Sequence, residues 1–272
     1  MTEAPRLRIR RAPRADATSP RSRSRVRVEP AATPLPSSRV DVVIPVYNEE
    51  HVLAQSVGTL RTFLRQHLKP HRWRILIADN ASTDATLEVA KQVAAQHPKE
   101  VAWLHLDEKG RGRALRLAWT TSDADILSYM DVDLSTELEA FPLLVQSIIN
   151  GYDIAIGSRL LPESRTTRSP KREFISRCYN LLIKASHFSR ISDAQCGFKA
   201  ISREVAQALV PLVQNQEWFF DTELLLLAEK RGYKIKEIPV RWVEDPDTRV
   251  NILKTATEDI RGLLRLRFTP TP

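Results

Sequence analysis

Asp131 and Asp133 are the residues whose type and spacing most directly specify chemistry. Five apolar or small residues, Ile126 to Met130, lead straight into them, so they should emerge from the end of a buried strand. In extended backbone, side chains two positions apart point to the same side. Like charges held that close repel, and a divalent cation with oxygen ligands relieves the repulsion. The structural alternative is that one acid caps a helix near Thr136 while the other is solvated. Asp79 ends another apolar run, where a carboxylate can accept from a ribose hydroxyl or a base N–H. Asp84, with Thr83, suits a helix cap as well as a ligand. Lys109-Gly110-Arg111-Gly112-Arg113 sets glycines and cations at a helix start, which suits an anion such as a diphosphate. Arg159 follows Ile156-Gly157-Ser158 at the end of a further apolar run.

These residues can act together only if strands carry them to one edge. From Val40 onward, short apolar runs alternate with longer amphipathic ones. Strands are expected at 40–44, 73–78, 101–106, 126–130, 154–156, 197–201 and 235–242. Helices are expected at 49–68, 84–97, 111–121, 136–150, 171–188, 203–213, 220–231 and 250–266. That alternation implies an α/β fold with a mostly parallel central sheet and helices on both faces. Ligands in such sheets bind beyond the carboxyl ends of the strands, where the acids and Arg159 fall. The Gly-x-Gly at 110–112 follows the third strand rather than the first, so it is poor support for a dinucleotide cofactor. There is no P-loop, no G-x-S-x-G elbow and no H-E-x-x-H.

The 272 residues carry 41 Lys plus Arg against 33 Asp plus Glu, a net charge of +8. Ten arginines and three acids fall within residues 1–39, which leaves only +1 for the rest. The basic signal therefore belongs to the amino-terminal segment, and nucleic acid is not an expected partner of the folded part. That segment holds six of the 17 prolines and no aromatic residue or apolar period, so it is expected to be disordered. It reads either as a solvated leader or as a tether to an anionic membrane surface. One domain is expected over 40–266, with a short tail at 267–272. Two cysteines, Cys178 and Cys196, exclude a disulfide framework and a structural zinc site. The longest uncharged run, Ala140 to Tyr152, is 13 residues, too short to cross a bilayer. No apolar stretch follows the basic start, so no secretory signal is read, and a soluble intracellular chain is expected.

Taken in order, the motifs resemble the family 2 glycosyltransferases of GT-A fold. The resemblance covers nearly all of 40–266. Its amino half rests on Val43-Ile44-Pro45-Val46-Tyr47-Asn48-Glu49-Glu50, on Asp79 with Ser82-Thr83-Asp84, and on Asp131-Val132-Asp133. The carboxyl half is more specific. The runs 192–199 (SDAQCGFK), 218–225 (WFFDTELL) and 239–242 (PVRW) are similar to dolichyl-phosphate β-glucosyltransferases. Polyprenyl-phosphate mannose synthases share the amino half.

This resemblance implies an inverting transfer of a hexose, glucose first among them, from a nucleotide-diphosphate sugar to a polyprenyl or dolichyl monophosphate. Pro45, Tyr47 and Glu49 would frame the nucleotide, with Lys109 beside them, and Asp79 would hold its base or ribose. Asp131 and Asp133 would contact ribose and a Mg²⁺ or Mn²⁺ ion bridging the diphosphate. Arg159, Lys199 and Arg249 would handle phosphate charge. Asp193 would act as a base, orient the acceptor, orient Lys199 or Arg159, or serve as a simple turn acid; Asp221, which with Glu223 opens an apolar helix, would join the acceptor and phosphate contacts. Asn80-Ala81 stand where the family usually carries glycine, and Ser135 where mannose synthases often carry Gln. The helix at 171–188 has a basic entry and a broad apolar face, suiting either a membrane interface or packing on the sheet. The implied setting is peripheral, on the cytoplasmic face of a membrane, with a membrane-protein partner possible. A sugar-hydroxyl acceptor, or a non-catalytic nucleotide-sugar binding module, are the competing readings.

Overall fold

β1 (Arg39–Val46) is apolar at nearly every position because both of its faces are covered, as a central parallel strand requires. Val42 and Ile44 point into one core and Val43 into the other, the two-residue alternation of a strand. The computed structural model describes residues 37–244 and 252–268. The expectations for the amino-terminal segment, for Arg249 and for the last few residues lie outside the described residues.

Around β1 stand β2 (Arg72–Asn80), β3 (Val101–Leu106), β4 (Ile126–Met130), β5 (Ile154–Ser158), β7 (Phe198–Ser202) and β8 (Ile235–Pro239). Their order is β3-β2-β1-β4-β7-β5-β8. All neighbours pair in parallel except β7, which runs antiparallel to both β4 and β5. One face is covered by α1 (Leu53–His67), α2 (Thr86–Gln96) and α4 (Phe141–Ile149), through Leu60, Val93 and Leu144. The other is covered by α3 (Arg111–Thr121), α6 (Arg203–Leu209) and α7 (Phe220–Lys230), with Trp119, Val205 and Leu224 buried there. α5 (Pro170–His187) and α8 (Ile252–Phe268) pack on each other at that side, and Leu263 and Leu266 join its core. The mostly parallel α/β architecture is as the sequence implies.

The reversed β7 has the largest consequence for the site. Because it is antiparallel, its amino end lies at the carboxyl ends of β4 and β5. The register Met130↔Phe198 therefore sets Gly197 beside Asp131, and Tyr129↔Lys199 sets that lysine beside the tyrosine.

Three boundaries differ from expectation for identifiable reasons. α1 starts at Leu53 rather than Glu49, because Asn48 to Glu50 are stapled to the turn after β2. The stretch 235–242 is broken after Pro239, which has no N–H for a ladder. Arg241–Val243 then forms β9, which pairs with the short β6 (Arg165–Thr167) away from the main sheet. α4 begins at Phe141 with Pro142 in its first turn, after a short 3₁₀ turn at Leu138–Ala140.

α8 packs so closely that a Cβ at Gly262 would meet the Phe219 ring at 2.3 Å. Asp259, one turn earlier, is buried, and burial pushes its carboxyl up to about 6 against a Tyr179 hydrogen bond that lowers it. A carboxyl raised in the folded state costs stability as pH climbs from about 4 to about 6, and the cost is full above that. Asp259→Asn should therefore raise stability at pH 7 by on the order of 2 kcal/mol, with no gain near pH 4. Denaturant titrations at the two pH values check it; an equal shift at both would contradict the assignment.

Candidate active site

The tips of β1 and β2 are tied together by side chain to backbone hydrogen bonds. The Asn48 amide N–H donates to Ser82 Oγ at 3.0 Å and the Glu49 amide to Thr86 Oγ1 at 2.7 Å. In return, the Thr83 amide donates to Asn48 Oδ1 at 2.8 Å and the Ala85 amide to Glu50 Oε2 at 2.9 Å. Asp84 joins this staple by accepting the Thr86 amide at 2.9 Å, the structural option open to it in sequence. Asn48, Ala81 and Leu134, after β1, β2 and β4, have φ of 57°, 60° and 51°. Left-handed backbone at non-glycine residues costs about 1–3 kcal/mol each and gathers at functional sites. Ala81 bears it where the family usually has glycine.

Asp79 is 0 % exposed. Its Oδ2 lies 2.6 Å from His105 Nδ1, while its Oδ1 is buried with no hydrogen-bond partner. A buried acceptor without a donor is costly, and a nucleoside hydroxyl or base N–H would satisfy it. Close by along the chain, the Lys109 ammonium sits 3.3 Å from the centre of the Tyr47 ring. Pro45 pairs in register with Ala78, one position before Asp79.

The glycines at 110 and 112 serve packing rather than an anion cradle. A Cβ at Gly110 would lie 2.7 Å from the Gln216 carbonyl, and one at Gly112 2.6 Å from Phe220 Cβ. The Gly110 amide donates to Asn80 Oδ1 at 2.6 Å and the Arg113 amide to the Gln216 carbonyl at 3.0 Å. Those N–H groups are thus already used.

β4 ends at Met130, and Asp131 to Leu134 form a tight turn rather than extended backbone, closed by the Leu134 amide on the Asp131 carbonyl at 3.3 Å. Extended backbone therefore does not hold the two acid side chains to one side, contrary to expectation. The turn is needed because the following residues pair elsewhere: the Val243 amide donates to the Ser135 carbonyl and the Glu137 amide to that of Arg241. Asp133 is exposed and its Oδ1 accepts the Ser135 amide at 2.9 Å.

Asp131 is held by Arg111, whose Nη2 is 2.9 Å from Oδ1. The other arm of Arg111 reaches Asp221 Oδ2 at 2.7 Å, and its guanidinium carbon lies 4.9 and 5.0 Å from the ring centres of Tyr129 and Trp218. Asp221 also receives Tyr129 OH and lies 3.0 Å from Lys199 Nζ. Lys199 is 1 % exposed, and its remaining donors go to Tyr129 OH and the Cys196 carbonyl. Lys199 and Asp221, expected to meet phosphate, are instead enclosed beneath the acid pair and paired to each other, with the donors of Lys199 all used within the protein. Burial alone would raise the Asp221 carboxyl, but Lys199 and Arg111 outweigh it and hold it below the usual range. The same burial, with the Asp221 charge, keeps Tyr129 protonated. Removing one partner of such a pair costs about 3–5 kcal/mol by stranding the other.

At the tip of β5, Arg159 and Asp193 form a two-pronged pair, Nε to Oδ2 at 2.7 Å and Nη2 to Oδ1 at 2.9 Å, and the Arg159 amide adds a bond at 3.0 Å. Asp193 is fully buried; burial works to raise its carboxyl, yet the guanidinium holds it below the usual range. A carboxylate so committed orients Arg159. Trp242 of β9 backs that guanidinium at 5.4 Å. In α7, Glu223 accepts the amides of Gln214 and Asn215 and lies 2.8 Å from Arg265.

The strand tips thus gather Pro45, Tyr47, Glu49, Asp79 and Lys109 on the β1–β2 side and Asp131, Asp133, Arg159 and Asp193 on the β4–β5 side. Sequence reasoning missed His105, the partner of Asp79, and the central place of Arg111. Lys199 in the middle of an apolar strand was the available signal for a buried network.

Of the two acids, Asp131 is the one with space kept for its carboxylate. A Cβ at Gly197 would lie 1.8 Å from Asp131 Oδ2, so the glycine leaves room for that carboxylate. Among the described residues no group of three or more His, Cys, Asp or Glu could hold a metal. Asp131 and Asp133 would therefore supply part of a shell completed by phosphate and water oxygens, as hard cations accept.

Residues 41–210 match the sequence profile described as Glycosyl transferase family 2. The chain belongs to that family. Among glycosyltransferases of known name, AglD of Haloferax volcanii is 36% identical over 236 residues, covering 86% of this chain but 37% of AglD. The dolichyl-phosphate beta-glucosyltransferase of Drosophila melanogaster is 31% identical over 228 residues, covering 79% of this chain and 70% of the relative. This chain thus spans little more than a third of AglD. Glucosyl-3-phosphoglycerate synthase from Mycobacterium tuberculosis, solved with UDP, superposes with a TM-score of 0.64 at 21% identity, over 86% of this chain and 81% of that one. Another crystal structure of that enzyme holds Mn²⁺, UDP and phosphoglyceric acid, at a TM-score of 0.63. That likeness places this glycosyltransferase in the GT-A-like fold.

Gly197→Ala should displace the Asp131 carboxylate and cut sugar transfer about a hundredfold or more, since an error near 1 Å in a reacting group costs that much. Initial-rate assays on protein with unchanged circular dichroism check it; activity within twofold of wild type would show that Asp131 needs no such room.

Proposed function

We propose that this glycosyltransferase moves a hexose, glucose in the first instance, from a nucleotide-diphosphate sugar to a polyprenyl monophosphate, with inversion at the anomeric carbon. One observation carries the choice of acceptor: the buried carboxylates Asp193, Asp221 and Glu223 are each committed to an arginine or lysine within 3.0 Å. A hydroxyl acceptor needs a base to take its proton. A phosphate acceptor, with a second pKa near 6, already carries its nucleophilic charge at neutral pH. The names of the relatives, dolichyl-phosphate beta-glucosyltransferases among them, support the same reading.

In this reading Asp79 Oδ1 binds the nucleoside, and Tyr47, with Pro45 and Glu49, frames it while Lys109 stands over the tyrosine ring. Asp131 and Asp133 would hold Mg²⁺ or Mn²⁺, which when bound supplies positive charge for the departing diphosphate. The UDP and Mn²⁺ found in the mycobacterial neighbour support that donor and that class of ion. Arg159, fixed by Asp193, offers the guanidinium for the acceptor phosphate, and Arg249 is proposed to assist it. Lys199, Asp221 and Arg111 position Asp131 from beneath. Because the acceptor is a lipid, the enzyme would work at a membrane surface, peripherally and on the cytoplasmic face; among the described residues no helix is long and apolar enough to cross one.

The test pairs labelled nucleotide sugars with a polyprenyl phosphate and partitions the product between solvent and water. Label should enter the lipid fraction, and Asp133→Ala should reduce it at least about a hundredfold with the fold intact. Label appearing only on water-soluble hydroxyl acceptors, or wild-type turnover by the variant with Mg²⁺ present, would overturn the reading.

A further inference from the structure

α5 is amphipathic in the wrong sense for a helix packed on a sheet. It buries Ser176, Asn180 and Ile183, and turns Phe174, Cys178, Leu181 and Leu182 to the outside. Its inward polar groups are used: Asn180 Oδ1 accepts the Ala194 amide at 3.0 Å, and Tyr179 OH lies 3.2 Å from Thr222 Oγ1. α8 lies against it and adds Ile260, Leu264 and Phe268 at four-residue spacing on its own outer side. Phe188, which ends α5, is 76% exposed and Phe268 78%. Of thirteen exposed large apolar side chains among the described residues, seven belong to these two helices and the Phe188 cap. Scattered exposure is ordinary, but a contiguous patch marks an interaction surface. Between the helices runs a groove of about 310 Å³, lined by Leu182, Ala185, Ile260, Leu264 and Phe268 with Arg267 at its rim.

Charge identifies the partner. α5 holds Lys171, Arg172, Arg177 and Lys184 against Glu173, and α8 holds Lys254, Arg261, Arg265 and Arg267 against Glu258 and Asp259. The two helices are thus net positive by three and two, while all of residues 40–272 together carry 31 basic and 30 acidic groups. The remainder of the domain is net negative; Arg172 and Arg265 are paired with Glu244 and Glu223, while Lys171, Lys184, Arg261 and Arg267 are exposed on the helices that carry the apolar side chains.

We propose that the α5–α8 face seats the enzyme on an anionic lipid bilayer, its apolar side chains entering the acyl boundary and its exposed cations, Lys171, Lys184, Arg261 and Arg267, meeting the headgroups. The proposal rests on the lipid-acceptor reading in one respect: it supplies the way the acceptor phosphate reaches the strand tips. The face is joined to the site by Arg265 on Glu223 at 2.8 Å and by Gln195 Nε2 on Asp259 Oδ2 at 3.3 Å.

The test is sedimentation of the full chain with phosphatidylglycerol-containing vesicles and with phosphatidylcholine vesicles, for wild type and for Leu181→Glu/Phe268→Glu. The arginines within residues 1–39 could bind by charge alone, so the decisive comparison is made at 0.5 M NaCl, where that attraction is screened. Wild type should bind the anionic vesicles there, and the double variant at least tenfold more weakly, with transfer to a detergent-solubilised polyprenyl phosphate unchanged. Equal binding by the variant overturns the proposal, as does a wild type that binds no vesicle and forms a dimer that the variant dissolves. Vesicle binding that follows the prediction without transfer to any polyprenyl phosphate would sink the acceptor reading and leave the docking face standing.

Discussion

Two cations and two carboxylates meet beneath the end of β4, and three of the four are enclosed. Arg111, Lys199 and Asp221 are each nearly inaccessible, and Asp131 is the member that opens outward. Buried charge is tolerated only when it is neutralised and hydrogen-bonded. The four groups come from different elements: α3, β7, α7 and the turn after β4. None can shift alone without stranding a partner, so the network fixes their mutual positions. Net dispersion and apolar burial hold the sheet together, but this cluster decides where the outermost carboxylate stands.

The reversed strand makes the cluster possible. A parallel β7 would bring its carboxyl end to the site; the antiparallel one brings the loop 189–197 and with it Asp193, Cys196 and Gly197. That one loop positions Arg159 through Asp193, clears space for Asp131 through Gly197, and accepts from Lys199 through the Cys196 carbonyl. Asp193 and Asp221, committed in this way, are placed to orient cations rather than to take a proton. That is the physical basis for favouring an acceptor that arrives already charged.

Much of this could be read from residues. The apolar runs of β1, β2 and β4 gave their strands because both faces are covered, and the acids at their ends fell on one edge as an open α/β sheet requires. What could not be read depends on contacts distant in sequence. The direction of β7 is set by pairing with strands some 45 and 70 residues earlier, and nothing local in Phe198–Ser202 encodes it. The turn at Asp131–Leu134 follows from pairing with β9, more than a hundred residues away. Gly110 and Gly112 looked like an anion loop because the same residue type serves close helix packing. His105 gave no signal, since its partner Asp79 lies across a strand pair.

The central claim is that the buried cluster positions Asp131 for a metal-borne nucleotide. Calorimetric titration of UDP, with and without Mn²⁺, into wild type and into folded Asp221→Asn tests it most directly. Asp221 is enclosed, so its effect on UDP passes through its partners Arg111, Lys199 and Tyr129, of which Arg111 alone reaches Asp131. The account predicts binding that requires the metal in wild type and is at least about tenfold weaker in the variant. Equal affinity in the two proteins, or binding indifferent to Mn²⁺, would contradict it.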